Sequence, residues 1–260
     1  MIKWLVVGLI VYIAALLVLY ITQEKQIFNS LAISTPETFS CDACEAISLE
    51  VAPHVQLHGK RRPLPNKDAP LLLYFGGNAD DATRIVLYAD TWPVEVVAFN
   101  YRGYVHSKGS PTQAALFNDA LAIYDHYAQH RPVVVMGRSL GTGVATYVAA
   151  HREVEQVILI TPYDSIRSLA KARFPFFPID WLMKHPFESV QYIPYVQAPV
   201  AILEVKDDSV IPKKHLEALK AKVPNLISHD VLENTTHGEV LHHPDFEKTI
   251  QSILHNLLSS

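Results

Sequence analysis

The stretch Val133-Val-Val-Met-Gly137-Arg138-Ser139-Leu140-Gly141-Thr142-Gly143 decides how the rest of this 260-residue chain is read. An apolar, β-branched run into Gly137 reads as a buried strand, and Leu140–His151 reads as a helix. Gly-x-Ser-x-Gly at such a junction implies a sharp turn, with Ser139 in a strained backbone conformation and flanking glycines that leave room for it. The hydroxyl is then exposed at the strand's carboxyl end, where the free N–H groups and dipole of the next helix favour developing negative charge. At average Gly and Ser usage the three fixed positions arise by chance in about one chain in ten of this length. It is therefore the strand and helix around them that carry the reading. A phosphate-binding loop is excluded, because no Gly-Lys-Ser/Thr follows.

Outward from this point, short apolar runs alternate with helical stretches. Expected strands are Ala46–Val51, Leu71–Phe75, Val94–Asn100, Val133–Gly137, Val157–Thr161, Val200–Val205 and Ile227–Leu232. Expected helices are Asp80–Thr91, Thr112–His130, Leu140–His151, Lys213–Lys222 and Pro244–Leu258. The alternation predicts an α/β fold, a mostly parallel sheet with helices on both faces and its site at the carboxyl ends of the strands. Pro162–Pro199 breaks the pattern. It holds six of the 17 prolines and eight of the 25 aromatics, and Pro175 and Pro178 forbid one regular helix through its centre. It reads equally as a cap over a pocket and as a cover for the sheet edge; a cap makes Phe174, Phe176, Phe177 and Trp181 candidate substrate contacts.

Composition sets the limits. A charged fraction of 18% and a hydrophobic fraction of 49% exclude a mainly disordered protein, and a net charge of -4 argues against a nucleic-acid binder. The mean hydropathy of +0.12 has a local source. Trp4–Ile21 is apolar at every position except Gly8, and without it the chain has an ordinary apolar fraction of roughly 45%. Eighteen helical residues cover about 27 Å, enough to cross a hydrocarbon core. The run is longer than the apolar region of a cleaved signal peptide, and the best small-residue cleavage site, Ser30-Leu31-Ala32, lies well beyond it. The expected layout is an uncleaved transmembrane anchor at 4–21, a polar connector at 22–45 and a catalytic domain at 46–258, with 162–199 as a cap-like insertion. Lys3 and Lys25 orient the helix weakly; the plainest insertion puts the domain on the extracytoplasmic side. Cys41 and Cys44 read as a local disulfide or two idle thiols rather than a metal site.

A serine nucleophile needs a base, itself oriented by an acid, and in this architecture they follow in the order Ser, acid, His. Of the 13 histidines, His237 sits in the turn-rich Glu233-Asn-Thr-Thr-His-Gly238 between the last strand and the last helix. His229 falls in a strand and His255 in a helix. A zinc site from His237, His242 and His243 lacks the paired spacing such a site uses. For the acid, Asp207 and Asp208 compete just past Val200–Val205, and Asp164 is a third candidate whose plainer role is a helix cap. One oxyanion donor is the backbone N–H of Leu140; the other is expected from Phe75-Gly-Gly-Asn78-Ala79.

Together these motifs, with Asn100-Tyr-Arg-Gly-Tyr104, Ser107-x-Gly109-x-Pro111, Thr161-Pro-Tyr-Asp-Ser165 and Asp208-x-Val-Ile-Pro212, resemble the α/β-hydrolase fold serine hydrolases over residues 45–258. The branch it looks like is the single-pass, membrane-anchored esterase or peptidase-like one, which includes protein depalmitoylases. The resemblance implies Asp208 as the acid, four residues before Pro212. It also implies Asn78 as the second oxyanion donor, although Gly76 stands where relatives carry histidine. The implied activity is cleavage of an ester, thioester or related acyl bond through Ser139, His237 and Asp208, with no metal or organic cofactor. The substrate would be a small or lipid-like acyl compound. A serine peptidase of related fold is the alternative within hydrolases, and an idle, anchored binding protein using the same pocket is the alternative outside them.

Overall fold

The computed structural model describes residues 1–30, 33, 39–66 and 68–258. Residues 31–32 and 34–38, with Leu31 and Ala32 of the possible cleavage site and part of the expected connector, lie outside them.

Eight strands form one sheet in the order β1-β2-β4-β3-β5-β6-β7-β8. They are β1 (Glu45–Ala52), β2 (Val55–Arg62), β3 (Leu71–Phe75), β4 (Glu95–Phe99), β5 (Val133–Arg138), β6 (Gln156–Ile160), β7 (Val200–Val205) and β8 (Leu226–Leu232). From β4 to β8 all neighbours are parallel; β1 and β2 form an antiparallel edge. The α/β expectation holds, and the reason is visible in the central strands. Leu71, Leu73 and Phe75 of β3 enter one core while Leu72 and Tyr74 enter the other, so both pleat faces must be apolar. Helices α2 (Gln113–Tyr127) and α3 (Leu140–His151) cover the first face. Helix α8 (Phe246–Leu258) covers the second with Phe246, Ile250, Ile253 and Leu254, spaced as one helical stripe.

Three expectations need correction. Strand β2 was not among the expected strands, because Val-Gln-Leu-His-Gly-Lys-Arg-Arg has the mixed polarity of a strand near a sheet edge rather than a continuous apolar run. Asp80–Thr91 is not an α-helix but a 3-10 helix over Ala82–Leu87. There the Asp81 carboxylate accepts from Thr83 N–H, and Asn100 Oδ1 accepts from Ala82 N–H at 2.9 Å. Those two anchors hold the segment flat on the sheet in bonds of three-residue spacing, such as Arg84 N–H to Asp81 O and Tyr88 N–H to Ile85 O. The helix at the start of the chain, α1 (Ile2–Ile27), runs past residue 21 through six residues of the expected connector. It is long and apolar enough to cross a membrane, yet Ile27, at its C-terminal end, and Phe28 are buried in the first core. Further on, Cys41 and Cys44 are joined by a disulfide.

Between β6 and β7 the chain leaves the sheet as α4 (Ile166–Arg173), α5 (Ile179–Leu182), α6 (Ser189–Tyr192) and a 3-10 turn over Ile193–Tyr195. Helix α7 (Lys213–Lys220) follows β7. The ends of β3, β5, β6, β7 and β8 therefore open on one side, where residues of α4 and α5 line a cavity with Ser139 and His237.

Candidate active site

Ser139 sits between β5 and α3 at φ 49° and ψ -118°. A non-glycine residue there is strained, and the surroundings enforce it. Its N–H donates to Ile160 O at 2.9 Å, and its carbonyl accepts from the N–H and hydroxyl of Thr142 at 2.9 and 2.7 Å. The glycines two positions away on either side permit the close packing. A Cβ on Gly141 would lie 2.0 Å from Phe75 O, and one on Gly137 would lie 2.2 Å from Gly141 O.

The hydroxyl of Ser139 meets His237 Nε2 at 2.9 Å, and His237 Nδ1 meets Asp208 Oδ2 at 2.7 Å. The other carboxylate oxygen, Oδ1, accepts from the N–H groups of Val210 and Ile211, both at 2.8 Å. Burial alone would raise the Asp208 carboxyl. The hydrogen bond and charge of His237, with the two backbone donors, outweigh burial and hold it below the usual carboxylate range. The neighbouring Asp207 is exposed and lies at a small polar hollow beside Thr161, Lys213 and Asp208 itself, whereas the hydrogen bond to His237 is made by Asp208. Asp164 serves another imidazole, accepting at 2.9 Å from His215 Nδ1. It does not cap α4; Ser165 does, accepting from Ser168 N–H at 2.9 Å. His242 meets Tyr88 OH and His243 meets Glu233 O, so the three histidines of the zinc alternative face different partners.

The loop after β3 lies over the serine, with a Cβ on Gly77 in ordinary contact with Ser139 at 3.7 Å. Asn78 is held at both ends. Its carbonyl accepts from Tyr104 OH at 2.8 Å, and its side-chain amide donates to Gln26 O of α1 at 3.3 Å. Leu140 is the first residue of α3, where helix N–H groups are free.

Arg138, between Gly137 and Ser139, is a residue the motif marks only as x. It is paired with Asp80 at 3.2 Å and donates to the carbonyls of His237 and Gly238 at 3.1 and 3.0 Å. Asp80 also accepts from Tyr74 OH and Gly77 N–H. One half-buried guanidinium thus ties together the β3 loop, the serine turn and the histidine loop. Nothing in the sequence marks it, since its partners lie 58 to 100 positions away.

Two cavities meet at Ser139, Asn78 and His237. The larger, about 800 Å³, is mainly apolar; Leu19 and Ile27 of α1 line it together with Leu169, Phe174, Ile179 and Met183 of the segment between β6 and β7. The smaller, about 510 Å³, is polar and contains Asp80, Arg84, Tyr88, Arg138 and His242. Of the four cap aromatics expected to touch substrate, Phe174 lines the larger cavity. Phe177 instead stacks on Tyr12, its ring centroid 5.6 Å away. Phe176 and Trp181 point outward, 85% and 89% exposed. The prolines turn the chain so sharply that neighbouring aromatics leave in different directions.

No protein-family model matches the chain. It is similar to the lysophosphatidylserine lipase ABHD12 of Xenopus tropicalis, 32% identical over 169 residues, which are 55% of this chain and 44% of that one. The protein of the same name from Danio rerio is 31% identical over 62% of this chain and 50% of its own. The chain thus spans about half the length of these curated relatives. An uncharacterized protein of Mycobacterium tuberculosis is 24% identical over 90% of this chain and 88% of its own. Among solved structures, Est1E from Butyrivibrio proteoclasticus with ferulic acid bound superposes with a TM-score of 0.70 at 16% identity, over 83% of this chain and 100% of that one. Sheet order, serine turn and these likenesses make the chain an α/β-hydrolase by fold.

Proposed function

We propose that this chain is a membrane-anchored serine hydrolase that cleaves a carboxylic ester or thioester of a single-chain, lipid-like acyl compound. Residues 46–258 form its catalytic domain, 162–199 its cap and 4–21 its anchor. The observation that carries the reading is the unbroken hydrogen-bonded series from Asp208 through His237 to Ser139, at the floor of an apolar cavity.

In this reading Ser139 Oγ attacks the acyl carbon while His237 Nε2 takes its proton. The carbonyl oxygen gains the negative charge and accepts from the N–H groups of Leu140 and Asn78, each worth about 10²–10³ in rate. Asp208 fixes Nδ1–H and stabilises the imidazolium. The bond to the alcohol or thiol then breaks as His237 returns the proton to the leaving atom. Water, deprotonated by His237, attacks the acyl-serine and releases the acid and free Ser139. The apolar cavity suits the acyl chain, and the polar one, whose wall carries Arg84 and Arg138 beside Asp80 and Asp81, suits a polar leaving group. The relatives named as lysophosphatidylserine lipases make a lysophospholipid the first substrate to try. The Cys41–Cys44 disulfide favours a domain on the oxidising, extracytoplasmic side.

Labelling of full-length protein by a fluorophosphonate probe tests the chemistry, and release of fatty acid from lysophospholipids tests the class. Ser139→Ala is expected to abolish the first and to lower the second by at least about 10³. Labelling that persists in the variant refutes Ser139 as nucleophile.

A further inference from the structure

The cap follows α1 for some distance, Phe176 and Phe177 at Tyr12 and Leu182 and Lys184 at Tyr20–Glu24. Tyr12 stacks on Phe177 and donates to Phe176 O at 2.9 Å. Tyr20 lies beneath Lys184 Nζ, 4.5 Å from the ring centroid. Gln23 donates to Leu182 O at 3.0 Å and accepts from Lys184 N–H at 2.8 Å, and Glu24 pairs with Lys184 at 3.2 Å. From Tyr12 to Glu24 is twelve residues, about 18 Å of helix.

That register has a consequence for depth. Tyr12 lies near the middle of the apolar run, nine residues or about 13 Å before its end at Ile21. A bilayer that covers Trp4–Ile21 therefore also reaches Phe176 and Phe177. At this end of the cap Phe176 is almost fully exposed, beside a helix whose own apolar side chains are exposed as well; Trp181 is as exposed but nearer the headgroups, since the carbonyl of the next residue, Leu182, accepts from Gln23. The single acid of the tip, Asp180, is paired with Lys171 at 2.7 Å. Lys184 stands where the apolar run gives way to Thr22-Gln-Glu, the level at which a lysine extends its ammonium to the headgroups. Apolar tip, neutralised acid and terminal cation form the pattern of an element seated in a leaflet. Between it and α1 lies the cavity that ends at Ser139, walled by Leu19 and Ile27 on one side and Leu169, Phe174 and Met183 on the other.

We infer that the cap tip, Phe174–Trp181, is embedded in the same leaflet as the C-terminal half of α1. We infer further that an acyl chain of a lipid in that leaflet enters the cavity through the seam between them. This rests on the anchor and hydrolase reading above and adds a route and a second membrane contact. The substrate's chain then need not pass through water to reach the serine.

Tryptophan fluorescence tests the depth independently of catalysis. The chain has three tryptophans, and Trp92 is buried in the core, so Trp4→Phe leaves Trp181 as the exposed reporter. Full-length Trp4→Phe protein is reconstituted in phosphatidylcholine vesicles with or without acyl chains brominated in their upper, headgroup-proximal half, the level that the Leu182–Gln23 contact gives Trp181. The expected result is bromine-dependent quenching that disappears in the Trp4→Phe, Trp181→Phe double variant. Protein that floats with the vesicles yet shows no quenching overturns the embedded tip; protein that does not float removes the anchor and the proposal with it. For the route, Leu19→Trp narrows the seam, and folding is checked by fluorophosphonate labelling. The ratio of kcat/KM for a myristoyl over a butyryl nitrophenyl ester is expected to fall at least about tenfold. An unchanged ratio overturns the route, whereas wild-type protein inert to every ester overturns the hydrolase reading and leaves the quenching result standing.

Discussion

Replacing Ser139 by glycine and, separately, by alanine separates the strain of the turn from its chemistry. Both variants lose the hydroxyl and its 2.9 Å contact with His237, so both are expected to lose at least about 10³ in rate. They differ in the backbone. Alanine keeps the Cβ that makes φ 49°, ψ -118° unfavourable, a cost of about 1–3 kcal/mol. Glycine removes that cost but adds about 0.5–1 kcal/mol of unfolded-state entropy. The balance favours Ser139→Gly over Ser139→Ala by about 0–2.5 kcal/mol, or up to about 10 °C in Tm for a domain of this size. The hydrogen bonds that hold the turn, from Ser139 N–H to Ile160 O and from Thr142 to Ser139 O, are backbone-directed at residue 139 and survive in both. The assay is thermal unfolding of full-length protein in detergent, followed by near-ultraviolet circular dichroism at one scan rate. An alanine variant more stable than the glycine variant refutes the claim that the turn stores strain of this size.

Asp208→Asn is expected to lower kcat by about 10⁴ while Asp207→Asn stays close to wild type, read by ester hydrolysis side by side; equal, small losses shift the role to Asp164 or another group. The depressed Asp208 carboxyl stabilises the fold above the unfolded carboxylate value of about 3.9, and this is lost only as pH falls through the lower native value. The Tm difference between wild type and Asp208→Asn is thus expected to persist through mildly acid pH and to shrink only below about pH 4; shrinkage between pH 7 and 5 contradicts it. Gly141→Ala forces a Cβ to 2.0 Å from Phe75 O, where only backbone can yield, and is expected to destabilise by about 3 kcal/mol or more. Gly238→Ala, with its nearest contact at 4.0 Å, is the control and is expected within about 0.5 kcal/mol of wild type in the same denaturant titration.

Features that depend on neighbouring residues were legible without coordinates. A run such as Val133–Met136 ending at Gly-x-Ser-x-Gly specifies strand, turn and helix locally, because burial of both sheet faces demands an unbroken apolar segment. The alternation of such runs with helical stretches determined the α/β fold, and the unbroken apolar run of 4–21 determined a helix able to cross a membrane. Strand β2 escaped because a strand near the sheet edge has no such demand on its composition, and Ala82–Leu87 took three-residue spacing because Asp81 and Asn100 grip its first turn.

Tertiary structure decided what depends on direction and on distant partners. Asp207 and Asp208 are indistinguishable by composition; the N–H groups of Val210 and Ile211 turn only the second toward His237. Arg138 joins three loops through partners that lie 58 to 100 residues from it in sequence. The four cap aromatics divide among cavity, helix and surface because Pro175 and Pro178 redirect the backbone at each step. The C-terminal turns of α1, which by composition are only the end of an apolar run and a polar stem, become a wall of the cavity and a hydrogen-bond partner of Asn78. Hydrophobic burial is non-directional and can be read from which residues are apolar. Hydrogen bonds and pocket walls are directional, and their partners meet only when the chain has folded.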